Sequence, residues 1–100
     1  MNHEAAYQIV RRQMDAQTAA MGRLGIAFWV SLDAQTFATS CVQTLDMKKP
    51  EESAHDFVRS HAHAVRANYA RQALRMESIN RAAINFAVTC VEAALQKETT

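Results

Sequence analysis

Mostly apolar side chains recur every seven residues along the chain, with a second set three residues further on in the first half and four residues further on in the second. The first set consists of Tyr7, Met14, Met21, Phe28, Gln35 and Val42 in one half and Val58, Val65, Gln72, Ile79, Phe86 and Ala93 in the other. A 3.5-residue repeat is typical of helices that pack as left-handed coiled coils. The chain has only two glycines and one proline, too few for the turns of a β-rich fold. We therefore predict an all-α fold with coiled-coil-like heptads.

Residues that typically end one helix and begin the next occur together at one place, between the two halves of the chain. Lys48-Lys49 suits the end of one helix, and Pro50 followed by two acids suits the first turn of the next. The pattern predicts a helix over residues 3–46, a turn at 47–49 and a helix over 50–97. Residues 1–100 would then form a single helical domain, a long antiparallel hairpin.

Gly22 and Gly25 interrupt the first predicted helix, because two glycines in one turn cost about 2 kcal/mol relative to alanine. A kink or break at residues 22–25 would give three helices instead of two. The apolar series stays in phase from Met21 through Leu24 to Phe28, so we predict that the helix continues.

A two-helix hairpin covers only one side of each helix and leaves other apolar side chains uncovered. They concentrate in residues 25–30 and in a stripe along residues 84–95. We predict that this surface mediates assembly into an oligomeric helical bundle, or also binds a hydrophobic ligand surface. Its residues are Ile26, Phe28, Trp29, Val30, Ile84, Phe86, Val88, Val91 and Leu95.

The charge balance indicates no strongly charged partner. Eleven Lys and Arg against ten Asp and Glu give a formal net charge of +1. Arg59, Arg66, Arg71 and Arg75 lie in a stretch without acids, which favours a solvated face paired with acids of a neighbouring helix over a nucleic-acid site. No apolar run approaches the ~20 residues of a membrane span, so we expect a cytoplasmic protein without a transmembrane segment.

The polar residues do not show the spacing of a reactive site. His55, His61 and His63 include no i, i+4 pair, which disfavours a metal site on one helix. Cys41 and Cys90 lack Cys-x-x-Cys spacing and are expected to be buried, reduced thiols. We predict a non-enzymatic protein with no catalytic residue, cofactor or metal.

A longer pattern suggests a family. The segment Leu45-Asp46-Met47-Lys48-Lys49-Pro50-Glu51-Glu52 leads into Phe57-Val58 and then Asn68-Tyr69-Ala70-Arg71. The preceding helical pattern carries Gln17, Gln35 and Gln43 among alanines. Over nearly all of the chain, this arrangement resembles the phasins, coat proteins of bacterial polyhydroxyalkanoate granules, in which a short Lys/Asp-Pro-Glu turn opens a helix with a Tyr-Ala pair.

The resemblance implies a protein without an active site that lays amphipathic helices on a polyester granule and limits granule coalescence. The cellular location implied is the cytoplasm, on the granule surface. Two other functions remain open. One is a helical adaptor or chaperone that binds an amphipathic segment of a partner protein. The other, less favoured, is a basic helical nucleic-acid binder.

Overall fold

Four α-helices make up the fold in a computed structural model of the chain, which describes the backbone of residues 1–72 and 80–99 and the side chains of residues 1–65 and 80–97. The helices are α1 His3–Arg23, α2 Leu32–Gln43, α3 Ala54–Gln72 and α4 Arg81–Thr99. A 3-10 helix, Leu45–Met47, follows α2. The predicted all-α class is confirmed.

The predicted long hairpin is wrong, because shorter helices replace both of its arms. Residues 24–31 are not helical, so the predicted helix over residues 3–46 is divided between α1 and α2. The predicted helix over residues 50–97 begins later, at Ala54, and Asn80 caps a separate α4. The molecule measures 40 × 34 × 24 Å, whereas an unbroken helix over residues 3–46 would be roughly 65 Å long.

Gly25 terminates α1, whose last helical residue is Arg23 and whose C-cap is Leu24. The φ of Gly25 is +72°, in the left-handed region that glycine adopts without steric cost. The Gly25 N–H donates to the Gly22 carbonyl at 3.0 Å, and the Ile26 N–H donates to the Met21 carbonyl at 2.9 Å. These two bonds form a Schellman motif, which satisfies carbonyls that a helix end leaves free. The predicted continuity through residues 22–25 is therefore wrong, and the alternative of a break is correct.

Each helix begins with a side chain that accepts a hydrogen bond from a backbone N–H three residues later. The capping residues are Asn2, Ser31, Ser53 and Asn80, with donor-acceptor distances of 2.8, 3.1, 3.1 and 2.9 Å. A cap of this kind is worth about 1 kcal/mol relative to alanine. Four separate helix starts are thus encoded locally in the sequence.

The core is built around α2 and α4, which pack extensively against each other, while α1 contacts both and α3 lies against α4. Its largest fully buried side chains are Phe37, Val10, Val42, Val58, Val91, Cys41 and Cys90. Cys41 and Cys90 are free thiols, as predicted. Burial raises the pKa of each thiol to about 12, and for Cys41 the proximity of Cys90 adds to the effect. Both cysteines serve as small apolar core residues.

The two glycines provide a matched test of the α1 terminus. Gly25→Ala is expected to lower the free energy of unfolding by about 1 kcal/mol, because alanine resists a positive φ. Gly22→Ala, in the last turn of α1 with open space around its Cβ position, is expected to raise it by about 0.5 kcal/mol. Urea denaturation followed by circular dichroism measures both changes. Changes of the same sign would show that α1 does not end at Gly25.

Candidate functional site

The segment between α1 and α2, together with the first residue of α2, presents a concentration of exposed apolar side chains. We call residues 24–32 the apolar loop. Leu24 is 72 % exposed, Ile26 53 %, Trp29 79 % and Leu32 76 %. Isolated exposed apolar residues are common on soluble proteins, but four large ones within nine residues are typical of an interaction site. The apolar loop is the candidate functional site of the chain.

The apolar loop is held firmly at both ends and in the middle. The Gly25 terminus fixes its start, and Ser31 caps α2 at its other end. Between them, Val30 is buried, and the ring of Phe28 lies 6.4 Å from the ring of Phe86 on α4. The Val30 carbonyl also accepts a 3.1 Å hydrogen bond from the Gln35 side-chain amide. The exposed side chains are therefore carried on a backbone anchored to the core.

A groove lies between the apolar loop and the start of α4; we call it the apolar groove. Its volume is about 580 Å³. Phe28, Trp29, Val30 and Phe86 supply its apolar wall. The remaining lining residues are Gln17, Ser31, Ala34, Asn80, Ala82, Ala83, Asn85 and Thr89. The groove extends the apolar surface of the loop inwards with polar groups along its edge, an arrangement that suits an apolar side chain or tail.

Only some residues of the predicted hydrophobic surface lie together in the structure. Ile26, Phe28 and Trp29 lie together on the apolar loop, with Trp29 the most exposed and Phe28 half-buried. Sequence analysis missed Leu24 and Leu32, which flank them. The signals for these two were local: Leu24 precedes a helix-ending glycine, and Leu32 follows a helix-capping serine.

The structure corrects the prediction of an uncovered apolar stripe along residues 84–95, because most of this stripe is covered by other parts of the same chain. Phe86 and Val91 are buried in the core, as is Val30. Three others are half-buried and pack against that core: Ile84, Val88 and Leu95. The prediction assumed two helices, whereas four helices provide α4 with neighbours on several sides. These residues stabilise the fold by packing in its core or against it.

A second depression, which we call the cationic groove, lies between α3 and α4. Its volume is about 530 Å³, and its lining includes His55, Arg59, His63 and Arg81. Arg59 makes no ion pair with any carboxylate of the described residues, contrary to the predicted pairing. Arg66, Arg71 and Arg75 lie outside the residues with described side chains.

His61 bridges α2 and α3 inside the fold. Its Nε2 atom lies 2.9 Å from Ser40 Oγ, at hydrogen-bond distance. Its ring centroid lies 5.8 Å from that of Phe37 and 6.5 Å from that of Phe57. Burial lowers its pKa from the ordinary value of 6.5, since the charged ring loses hydration. We assign His61 a packing role.

Three further observations bear on function. Within the described residues, no three or more His, Cys, Asp and Glu side chains come together as a set able to hold a metal ion. No helix in that part of the chain is sufficiently long and apolar to cross a membrane. The raised pKa values of Cys41 and Cys90 also disfavour the thiolate form that a cysteine nucleophile needs.

His61 makes stability depend on pH in a defined direction. Because its pKa is lower in the folded chain, the unfolded chain binds more protons as pH falls below 6.5, so the free energy of unfolding should fall with it. His61→Gln should reduce this dependence between pH 7.5 and 5, whereas His3→Gln, a control at an exposed histidine of α1 outside both grooves, should preserve it. Chemical denaturation across this range measures both. Equal pH profiles for the two variants would contradict the assignment.

Comparisons of the chain with protein-family models, with curated proteins and with solved structures give no match.

Proposed function

We propose that this protein is a non-enzymatic, phasin-like coat protein that binds hydrophobic polyester surfaces, such as those of polyhydroxyalkanoate granules, in the cytoplasm. It would need no cofactor. The observation that best supports this proposal is the apolar loop, whose four large side chains are exposed on an anchored backbone. This segment would enter the polymer surface first.

The energetics of the apolar loop support this proposal. Burial of a large apolar side chain contributes roughly 1.5–3 kcal/mol, or about 25 cal/mol for each Å² removed from water. The four exposed side chains together therefore offer several kcal/mol. Anchoring of the loop through Phe28 and Val30 limits the ordering that binding requires. A rigid apolar surface loses less conformational entropy on binding than a flexible one.

The four-helix fold changes the binding mode that the predicted hairpin implied. A hairpin would open to expose its apolar faces, whereas α2 and α4 pack together with Phe37, Val42, Phe86 and Val91 buried in the core. Opening that core would expose Phe37, Val42 and Val91 at a large cost in free energy. We therefore propose that the folded chain docks intact through the apolar loop.

In water without a polymer, we propose that the apolar loops of two or more copies cover one another. Trp29 and Leu32 are each more than three-quarters exposed, and self-association would remove both from water. The resulting homo-oligomer would be a helical bundle formed through the loops. Polymer would compete for the same side chains.

The apolar groove favours a second candidate function, that of an adaptor for a partner's amphipathic segment. A cavity of about 580 Å³ with aromatic walls can accept one or two apolar side chains of a partner helix. Ala82 is exposed and lines this groove, so Ala82→Phe would fill it without disturbing the core. Loss of binding to a synthetic amphipathic peptide in this variant, with polymer binding absent, would favour the adaptor.

Trp29 emission should shift to the blue when the protein binds polyester particles, because the ring leaves water. It is the chain's single tryptophan and is 79 % exposed. Ile26→Glu combined with Leu32→Glu should weaken binding at least tenfold, since two carboxylates would have to be desolvated. Fluorescence titration measures both effects, and binding of the original protein should persist in 1 M salt.

A charge-matched control separates the loop from net charge. Met47→Glu combined with Ala16→Glu adds the same two negative charges at exposed positions outside the loop. This control should bind polymer with the original affinity. Equal loss in the two double variants, or loss of binding in 1 M salt, would argue against an apolar-loop mechanism.

The same pair of double variants tests self-association. The original protein should be oligomeric at micromolar concentration by light scattering, and Ile26→Glu with Leu32→Glu should give a monomer with unchanged helix content. Leu32 begins α2, where a carboxylate is favourable to the helix. The Met47 and Ala16 control should remain oligomeric. A monomeric original protein would exclude assembly through the loops.

A further inference from the structure

The cationic groove is built from one face of α3 and the first turns of α4. His55, Arg59 and His63 are spaced four residues apart, so they lie along the same side of α3. Arg81 and Asn85 face them from α4 with the same spacing. The remaining lining residues are Ala62 and Ile84. Two helices thus present two guanidinium groups, two imidazoles and an amide to one space.

The charge of this groove is not balanced by acids in its lining. No carboxylate lines it, and neither Arg59 nor Arg81 is ion-paired with an acid among the described residues. Along the sequence, residues 57–91 contain five arginines and one acid, although the whole chain has a net charge of only +1. Two guanidinium groups beside one cavity repel each other, and an anion between them would remove that repulsion.

The donor set suits phosphate better than a single carboxylate. Guanidinium groups match phosphate oxygens with paired hydrogen bonds, and Arg59 on α3 and Arg81 on α4 line the same cavity. The Asn85 amide and the imidazole N–H groups of His55 and His63 add further hydrogen-bond donors. The first turn of α4, at Arg81, contributes the positive end of its helix dipole.

The cationic groove adjoins the apolar groove. Asn85 lines both cavities, and the neighbouring Ala82 on the apolar side is small and exposed. A molecule with a phosphate group and an apolar part could occupy the two cavities together. A free phosphate ester would occupy the cationic groove alone.

We propose that the cationic groove binds the phosphate group of a phosphate ester, through Arg59 and Arg81. The source is either a phospholipid headgroup at a surface that the apolar loop enters, or a soluble phosphate ester. The soluble case does not depend on the proposed function, whereas the headgroup case rests on it.

The experiment has two arms that distinguish these sources. In the soluble arm, glycerol 3-phosphate is titrated by calorimetry. In the lipid arm, cosedimentation compares phosphatidylcholine vesicles with vesicles that also contain phosphatidic acid. Both arms use the original protein, Arg59→Gln with Arg81→Gln, and a control, Arg11→Gln with Arg23→Gln, that loses the same charge at exposed positions away from the groove.

The expected result is saturable binding in at least one arm, with at least tenfold weaker binding in the groove variant and a change of less than about twofold in the control. Binding of glycerol 3-phosphate would identify a soluble ester. Tighter binding to vesicles with phosphatidic acid than to phosphatidylcholine alone, without binding of glycerol 3-phosphate, would identify the headgroup. Binding in neither arm, or equal loss in the groove and control variants, would overturn the proposal.

The apolar-loop variant keeps this result separate from the proposed function. Ile26→Glu with Leu32→Glu should leave glycerol 3-phosphate binding unchanged, because neither residue lines the cationic groove. In the lipid arm the same variant should weaken binding to both kinds of vesicle. If the loop variant binds vesicles as well as the original protein and the groove variant does not bind them, the result would support the phosphate site and contradict the loop mechanism.

Discussion

The left-handed backbone at Gly25 determines where the rest of the first half of the chain lies. Two hydrogen bonds across this residue close α1 and turn the chain away from the helix axis. Only after that turn can Phe28 reach Phe86 and Val30 enter the core. If α1 continued, the side chains of residues 26–32 would be distributed around a helix, and α2 could not fold back against α4 in the observed way.

The same turn explains why one short segment both stabilises the fold and remains exposed. Phe28 and Val30 are drawn inwards, and Ile26, Trp29 and Leu32 remain accessible. The inward residues gain the free energy of burial, which holds the backbone of the apolar loop in place. The outward residues gain nothing from the fold itself, and their exposure favours association with other apolar surfaces. Anchoring and exposure are therefore two results of one local conformation.

The sequence was sufficient for the helical class but not for the number of helices. Heptad spacing passed through Met21, Leu24 and Phe28 without a change of phase, so the break did not disturb the pattern. Leu24 illustrates the error: it fits the apolar series, yet it is the C-cap of α1 and 72 % exposed. The glycine after it and Ser31 before α2 were the local signals of a break. Periodicity reports which residues can share a face, whereas helix ends depend on single capping residues.

The candidate sites were harder to predict, because each depends on contacts between residues distant in sequence. Arg59 was visible as part of a basic stretch, but its neighbour across the cationic groove is Arg81, on another helix. The apolar loop was detected in part from its composition, since consecutive large apolar residues could not all be buried in one helix. The prediction of an uncovered stripe on α4 was wrong, because burial there depends on neighbouring helices that the periodicity of the sequence does not reveal.

The two candidate surfaces meet on the first turns of α4. Asn80 begins this helix, Arg81 faces the cationic groove, and Phe86 supports the apolar loop through Phe28. Asn85 lines both cavities, and the small, exposed Ala82 lines the apolar groove alone. A rigid helix start thus places a charged cavity and an apolar one side by side. Apolar burial supplies affinity without direction, whereas guanidinium groups impose a position on a phosphate. A surface that offers both features would hold the protein in one orientation, and a purely apolar polymer would leave its rotation on the surface free.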